Sequence, residues 1–385
     1  MQDQQGILKN NSFKRYAFRS NTEFNVLKNL RVGENLQFTY RQALGLSGGN
    51  GGRGVARDEN HILAAFRMPT IIPIYDVFGG YAGTKAEGFN NARNPVASRD
   101  RIANNNSFDA IGFGNIYLEM EPVKGLVLRS SLGGNYRNSN FRSYDIRTYE
   151  HSENTNSFTY TEGSVYLFDW TLTNTVNYKK AIAGKHHMDV LIGQEALESG
   201  TGRMASANGI NPFLTDPDYV TLNTVGNRQV SGVQYKGVRF FSFFGQLRYT
   251  FGDKYIATVV VRRDGSSRFS AAHRYGVFPA FSAAWRMSGE NFMKSLAWIN
   301  DLKLRAGYGT MGNSNAVDPN NQYTLYAAHI DHANYDILGQ NTSSTEGYYR
   351  SQIGNPDAKW ETSVTQNIGL DGSFFGNKLE VIVDV

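Results

Sequence analysis

The sequence has no cysteine, few prolines and no long apolar run. Cysteine is absent, and proline occurs only 9 times in 385 residues. Without cysteine the chain can form neither disulfides nor zinc-thiolate sites, and it has no cysteine nucleophile. No stretch approaches the ~20 consecutive apolar residues that a membrane-spanning helix requires. These absences exclude disulfide-stabilised scaffolds and helical membrane proteins.

Concentrated charge of one sign is also missing. The 39 basic and 34 acidic residues give a net charge of +5, and the basic residues are dispersed along the chain. A nucleic-acid-binding protein would be expected to gather its basic residues into a patch or stripe. We therefore predict no nucleic-acid partner.

Glycine and aromatic residues, by contrast, are abundant. The chain contains 40 Gly, 22 Tyr and 24 Phe. Aromatic side chains fit a pleated, half-buried surface, and glycine supplies the positive φ of tight turns. The hydrophobic fraction of 40% would also suit a soluble protein. A membrane barrel shows the same average, however, because polar residues that line its lumen alternate with lipid-facing ones.

Alternating apolar and polar residues predict strand pairs that are joined by short turns. The predicted pairs are 13–26 with 30–41, 114–121 with 126–138, 166–179 with 186–195, 240–251 with 255–263, and 361–373 with 379–385. Long connections rich in Asn, Ser and Gly separate them at 42–109, 138–166, 196–239, 264–277 and 310–359. A short helix capped by Ser288 is predicted between Ser288 and Trp298.

This pattern is typical of a transmembrane antiparallel β-barrel. Short turns at one rim and long loops at the other are the asymmetry of outer-membrane barrels. Several predicted strands are about ten residues long, which is the length that a tilted strand needs to cross a membrane. Strands of globular proteins are usually about five or six residues long. Leu128 and Leu132 share one face, and Arg129 and Asn135 share the other. Alternation alone fits a soluble sandwich equally well, but strand length and loop asymmetry favour the barrel.

Both ends of the chain predict that it is a fragment. Met1 is followed by Gln-Asp-Gln-Gln-Gly, which has neither the basic start nor the apolar core of a signal peptide. The last residues, 379–385, stop in mid-alternation without a turn residue. We expect a longer parent protein.

Several motifs in a fixed order resemble one family. The strings are RRDGSSRF (262–269), YGVFPAFSAAW (275–285), GENFM (289–293), LKLRAGYGTMGN (302–313) and NPDAKWET (355–362). Together they closely resemble the SusC/RagA family of TonB-linked outer-membrane proteins. HHMDVLIGQEAL (186–197) and EPVKGLVLRSS (121–131) look like further family segments. The resemblance covers nearly all of the chain except its long loops.

The resemblance implies a barrel of about twenty-two strands with a plugged lumen, in the outer membrane of Bacteroidetes-type bacteria. Such proteins pair with a SusD-like lipoprotein that acts as a lid, and they import oligosaccharides or peptides with energy from the TonB complex. Residues 1–385 would then be a partial barrel domain with roughly twelve to fourteen strands and long extracellular loops. The signal peptide, TonB box, plug domain and final barrel strands would lie outside this sequence.

No pattern in the chain predicts catalysis, a cofactor or a metal site. The DGSS segment at 264–267 has the composition of a tight turn. His186 and His187 are adjacent in a strand and point to opposite faces, so they cannot easily share a metal. His329 and His332 lie in a polar loop without a further ligand pattern. We predict that the protein is not an enzyme.

Tyrosines in the long loops are the candidate substrate-binding residues. We single out Tyr149 and Tyr160 in one long segment and Tyr326 and Tyr335 in another. Aromatic faces near amides and carboxylates suit sugar rings. They suit equally an aromatic belt at the membrane interface or packing against a partner lipoprotein, and the sequence leaves these three interpretations level.

The leading hypothesis is TonB-dependent uptake of glycans or peptides across the outer membrane, with outer-membrane lipid surrounding the barrel. One alternative is a passive or adhesive outer-membrane barrel without energy coupling. A second alternative is a soluble β-rich protein that binds or cleaves glycans.

Overall fold

The computed structural model describes residues 1–45, 61–328, 333–339, 344–345 and 347–385, and it consists mainly of one large antiparallel sheet. The strands are β1 (Gln2–Gln5), β2 (Ser12–Leu27), β3 (Leu30–Leu44), β4 (Asn106–Val123), β5 (Leu126–Asp145), β6 (Thr159–Ile182), β7 (His186–Ile210), β8 (Gly226–Tyr235), β9 (Val238–Phe251), β10 (Tyr255–Ser266), β11 (Tyr275–Arg286), β12 (Ile299–Asn313), β13 (Leu325–Ala327), β14 (Tyr335–Asp336), β15 (Ser344–Thr345), β16 (Tyr349–Gln352), β17 (Glu361–Phe374) and β18 (Leu379–Asp384). The α-helices are α1 (His61–Arg67) and α2 (Pro95–Arg101).

The main sheet is a meander, in which strands that follow one another in the sequence are paired. Within the described residues it contains 14 strands, from β1 at one edge to β18 at the other. β7 pairs with β9 along its first part and with β8 along its last part. β13 with β16 and β14 with β15 form two small separate sheets. The predicted all-β antiparallel architecture is confirmed, and the strand count agrees with the expected range.

Turns of unequal length distinguish the two ends of the strands. We call these ends the short-turn edge and the long-loop edge of the sheet. At the short-turn edge, Gly125 (φ 87°) joins β4 to β5, and Gly252 (φ 60°) with Asp253 (φ 55°) joins β9 to β10. Gly, Asn and Asp adopt these left-handed conformations at the lowest energetic cost. At the long-loop edge, the connections are 45–105, 146–158, 211–225, 267–274 and 314–360. The predicted asymmetry is confirmed.

Side chains alternate between two faces of the sheet, as the sequence pattern predicts. On one face Arg129 contacts Glu119, and Asn135 donates a hydrogen bond to Asp169. On the other face Leu132 and Tyr136 are exposed together. We call these the polar face and the apolar face.

Several predicted boundaries were wrong, because the strands run further towards the long-loop edge. β6 has 24 residues and β7 has 25, so β6 extends into the expected loop 138–166 from Thr159 onwards, and β7 extends into the expected loop 196–239 as far as Ile210. Asp264, Gly265 and Ser266 belong to β10, and the expected turn begins after them. Composition misled the prediction, because pairing with neighbouring strands outweighs the weak strand propensity of Asn, Ser and Gly.

The predicted helix after Ser288 was also wrong. Two 3-10 turns, Met287–Gly289 and Asn291–Met293, occupy the segment. The Ser288 hydroxyl donates to Asp301 at 2.5 Å and does not cap a helix. Neither α-helix among the described residues is long and apolar enough to cross a membrane.

Helix α2 was missed in the sequence although it has a recognisable start. Asn94 accepts hydrogen bonds from the backbone N–H groups of Val96 and Ala97, and Pro95 stands at the first helical position. Both features are favoured at helix N-termini. The helix lies within the longest connection and packs its Arg99 side chain against the Lys9 and Gly45 carbonyls. It therefore fixes this connection above β2 and β3.

Candidate functional site

Charged residues on the polar face form a balanced network near the short-turn edge. Arg31 contacts both Glu23, at 3.4 Å, and Glu119. Arg129 lies 3.3 Å from Glu119, and its guanidinium is 4.0 Å from the centre of the Tyr117 ring. The Tyr117 hydroxyl donates to Glu23 at 2.7 Å, which closes the network. Two carboxylates here meet two guanidiniums.

Glycine makes room for the tyrosine in this network. A Cβ atom at Gly33 would overlap the Tyr117 ring, which lies across the backbone of β3. Close approach of an aromatic ring to the backbone is a common reason for glycine inside a strand. The position of Tyr117 between β3 and Arg129 thus depends on Gly33.

A second network on the polar face lies nearer the long-loop edge. Asp109 is 8% exposed and accepts hydrogen bonds from Arg41, Arg137 and Ser139. The Arg137 Nη2 atom is 3.0 Å from the carboxylate. One carboxylate therefore holds two guanidiniums, and both of its oxygens accept hydrogen bonds.

The arginines near the DGSS segment have three different environments. Arg262 lies on the polar face, 2.9 Å from Glu195 and 2.6 Å from Asp264. Arg263 lies on the opposite face with its guanidinium 4.1 Å from the Tyr275 ring centre. Arg268 donates to the Val317 carbonyl at 2.6 Å in the loops above. Among the described residues, Arg262 is therefore the one of these three arginines that is ion-paired.

The apolar face carries a wide groove with a glycine floor. The groove measures about 810 Å³, and Gly112 and Gly134 form its floor between the rings of Phe38, Tyr136 and Phe168. Its lining is almost entirely apolar and bears no charged side chain. A second groove of about 540 Å³ follows the same face across later strands. Such mainly apolar surfaces suit contact with lipid.

The outer connections are held together by a buried ion pair. Arg101 of α2 donates to both carboxylate oxygens of Glu150, at 2.6 and 2.9 Å. The Glu150 side chain is 1% exposed. Burial opposes its negative charge, but the hydrogen bonds from Arg101 outweigh this and hold the pKa of Glu150 below its ordinary value. This pair ties α2 to the connection between β5 and β6.

Asp100, beside this pair, joins three further groups. It accepts from the Tyr81 hydroxyl at 3.0 Å, from Asn10 at 3.2 Å, and from Lys9 at 2.9 Å. Burial by itself would raise the pKa of Asp100. The hydrogen bonds from Lys9 and Tyr81 have a larger, opposite effect, so the pKa of Asp100 lies below its ordinary value. Burial, together with the hydrogen bond to Asp100, raises the pKa of Tyr81 to about 12.

Tyr149 and Tyr160, two of the predicted substrate-binding residues, take part in packing. The Tyr149 hydroxyl accepts a hydrogen bond from the Tyr81 backbone N–H at 2.7 Å. Tyr160 lies in β6 and not in a loop, which corrects the predicted location. It is 1% exposed, and it belongs to a hydrophobic cluster with Tyr144 and Phe158. A ligand could reach Tyr149 but not the buried Tyr160 ring.

Tyr326 and Tyr335, the other two predicted residues, are both exposed. Tyr326 belongs to β13 and Tyr335 to β14, which are in different small sheets. Their role in substrate binding stays a prediction, as does that of Tyr149. Tyr166 is exposed on the apolar face, where its register partner Asn138 lies two residues from Tyr136. The membrane-belt interpretation therefore suits Tyr166 best.

Metal ligands do not converge in the described part of the chain. No group of three or more His, Asp or Glu side chains there could hold a metal ion. His186 contacts Tyr249, its Nδ1 atom lying 2.6 Å from the tyrosine hydroxyl. His329 and His332 lie outside the described residues.

The polar-face arginines of the first strands were not predicted as a group from the sequence. The strand registers place four arginines on the same face as the two networks described above: Arg15, Arg19, Arg41 and Arg137. The period-2 pattern contained this signal. No local pattern indicates that these residues lie together, because the strands that carry them are separated by up to about a hundred residues of sequence.

A family model and several curated proteins match the chain. The model described as "TonB dependent receptor-like, beta-barrel" matches residues 70–385. TonB-dependent receptor P26 of Formosa agariphila is 30% identical over 98% of this chain and 36% of its own length. TonB-dependent receptor SusC of Bacteroides thetaiotaomicron is 26% identical over 99% of this chain and 38% of its own length. The chain thus spans little more than a third of these relatives.

Solved structures give a consistent result. The structure of the RagAB peptide transporter matches with a TM-score of 0.77 and 26% identity, over 97% of this chain and 40% of that one. The RagAB peptide importer in the "closed-closed" state matches with a TM-score of 0.77 and 25% identity.

Proposed function

The chain belongs to the TonB-dependent receptor-like β-barrel family, and on this premise we propose that it forms part of the barrel of an outer-membrane importer. The parent protein would take up oligosaccharides or peptides with energy from the TonB complex. A SusD-like lipoprotein would close its outer opening. Transport, not catalysis, is the proposed activity.

The observation that carries the proposal is the division of the sheet into an apolar and a polar face. On the apolar face of β3, residues 30–40 run from the short-turn edge to the exposed Tyr40. Ten residue steps of about 3.3 Å, tilted by about 45°, span about 23 Å, close to the apolar band of an outer-membrane barrel. Exposed tyrosines mark the upper end of this band at Tyr16, Tyr40, Tyr136 and Tyr166. The apolar face would contact lipid, and the polar face would line the lumen.

Aromatic residues at the short-turn edge support the same orientation. Trp285 and Tyr255 are register partners there, and Phe251 stacks on Tyr255 with ring centres 6.3 Å apart. Aromatic girdles at both interfaces are typical of such barrels. The short turns would face the periplasm and the long loops the cell exterior.

The nature of the cargo and the partner is the finer part of the proposal. The RagAB structures are described as those of a peptide importer, and SusC is named as a TonB-dependent receptor. The first description supports a peptide cargo, and the second name supports dependence on TonB. They leave open the choice between glycan and peptide.

Fractionation and uptake measurements on the full-length protein test the proposal. We expect the tagged protein in the outer-membrane fraction, and its recovery in the cytosol would contradict the proposal. Deleting the gene should abolish uptake of the cargo, and removing TonB should do the same. Uptake that persists without TonB would favour the passive or adhesive barrel instead.

A further inference from the structure

The lumenal wall formed by β2 to β5 contains an excess of arginine near the long-loop edge. Arg15 of β2 lies directly opposite Arg41 of β3, and Arg41 lies opposite Asp109 of β4. On the apolar face the next residues, Tyr16 and Tyr40, are opposite each other. The arginines are therefore at the level of the outer tyrosine belt, at the mouth of the proposed lumen.

This excess is not neutralised within the described part of the chain. Asp109 is already occupied by Arg41 and Arg137. Arg15 has no carboxylate within ion-pair distance there, and Arg19 only donates to Asn21 at 3.4 Å. Like charges directly opposite each other on a sheet are destabilising. Such an arrangement is understandable where an anion from outside binds between them.

A further carboxylate beside this wall, Asp169, offsets only part of the excess. Asp169 of β6 accepts hydrogen bonds from Asn135 at 3.2 Å, from Ser199 at 2.9 Å and from the Gly200 N–H at 2.6 Å. Its donors are neutral, so Asp169 contributes one negative charge, and together with Asp109 it supplies two negative charges against four arginines. At the short-turn edge, by contrast, the same strands match two glutamates with two arginines.

An exposed aromatic ring lies among these charges. Phe113 is on the polar face of β4 and is 56% exposed, between its register partners Gln37 and Asn135. Arg137 is two residues beyond Asn135 and is thus a diagonal neighbour of the ring. An exposed phenylalanine on a wall of charged and amide side chains suits the apolar face of a sugar ring. The amides beside it can bond sugar hydroxyls.

We infer that this arginine wall, namely Arg15, Arg19, Arg41 and Arg137 around Phe113, binds acidic oligosaccharides that carry carboxylate or sulfate groups. The acidic groups pair with the guanidiniums, which match such anions with two parallel hydrogen bonds. The inference rests on the proposed import function and names its substrate class. An acidic peptide could also pair with the guanidiniums, but the exposed Phe113 ring and the amides beside it favour a sugar.

Calorimetric titration of the full-length protein in detergent tests the inference. The probes are a galacturonic acid hexasaccharide, a neutral galactose hexasaccharide and hexaglutamate. We expect the acidic sugar to bind at least about tenfold more tightly than the neutral one, with an advantage that shrinks as salt is raised. Equal affinities would overturn the inference, since the guanidiniums would then be neutralised elsewhere in the protein. Tighter binding of hexaglutamate would also overturn it.

Variants locate the binding surface. The double variant Arg15→Gln/Arg19→Gln should bind the acidic sugar about tenfold or more weakly than the parent protein does. Its affinity for the neutral sugar should be unchanged. Lys14→Gln is the matched control, because it removes a cation from the opposite face of the same strand. Phe113→Ala should weaken both sugars, and Phe113→Tyr should retain them. An unchanged affinity in the double variant contradicts the inference.

Outer-membrane abundance and heat-modifiable gel mobility verify that each variant folds. If the double variant does not accumulate, two other measurements test the inference. They are the salt dependence of acidic-sugar binding by the parent protein and the sugar affinities of the Phe113→Ala variant. A protein that fractionates with the outer membrane and imports its cargo without preferring acidic sugars refutes this inference alone. A cytosolic protein refutes the proposed function.

Discussion

At the scale of single residues, burial decides how much an ion pair stabilises this protein. Arg101 and Glu150 are 11% and 1% exposed, so loss of either partner leaves an unpaired charge away from water. Lys14 and Asp3 form a pair at 3.8 Å with both side chains nearly half exposed. Solvent screens that second pair almost completely.

We predict that Glu150→Gln loosens the outer connections. Losing one partner of a buried pair costs about 3–5 kcal/mol, so the segment 145–159 should exchange amide hydrogens and be cleaved by protease more readily at neutral pH. Lys14→Gln should cost less than about 1 kcal/mol and serves as the control. Wild-type protection in the Glu150→Gln protein would contradict the prediction.

The same pair gives the outer connections a pH dependence whose sign follows from its pKa. The pKa of Glu150 is lowered in the fold, so its stabilisation is present above the ordinary value of 4.5 and is lost as pH falls through the folded value. Protection of 145–159 should therefore decrease below about pH 4.5 in the wild type. This decrease should be smaller in Glu150→Gln. The remaining pH dependence should come from Asp100, whose pKa is also lowered.

At the scale of elements, the tight turns fix which strands pair and in which register. Gly252 and Asp253 both have positive φ between β9 and β10, and the Gly252 N–H donates to the Lys185 carbonyl of the neighbouring turn at 2.7 Å. The short-turn edge is thus connected sideways as well as along the chain. A turn residue that cannot adopt positive φ should disturb both turns.

We predict that Gly252→Val destabilises this pair of hairpins, whereas Asp253→Asn does not. A β-branched residue in the left-handed region costs about 1–3 kcal/mol, while Asn adopts that region readily. The measurement is the temperature at which the full-length barrel loses its folded gel mobility. Equal temperatures for Gly252→Val and the parent protein would show that the turn conformation contributes little.

The strand pairs were predicted better than their outer ends. Apolar alternation and turn residues locate β9 and β10 to within a few residues at the short-turn edge. Towards the long-loop edge the alternation weakens, because the apolar face ends near the exposed Tyr16, Tyr40 and Tyr166. The extra length of β6 and β7 follows from their pairing with each other, which no local sequence pattern predicts.

At the scale of the whole molecule, the described sheet has two open edges and one exposed apolar face. β1 and β18 each have a single neighbour among the described residues. Unpaired edges and wide apolar surfaces promote association in water.

We therefore predict that residues 1–385, expressed alone, aggregate in aqueous buffer and need detergent to stay dispersed. Size-exclusion chromatography with light scattering measures this directly. A soluble monomer that melts cooperatively would contradict the prediction and would favour the soluble glycan-binding alternative.

The sequence by itself determined the architecture, the family resemblance and the division into an apolar and a polar face. These properties are local, because side-chain alternation and turn chemistry depend on residues that are close in the chain. Only the tertiary structure decided which charges meet. Arg41 and Asp109 are 68 residues apart in sequence, and Arg31 and Glu119 are 88 apart. The register that joins such residues depends on how several hairpins pair side by side. Burial of Tyr160 beneath the outer connections and the surplus of arginine around Phe113 have the same origin.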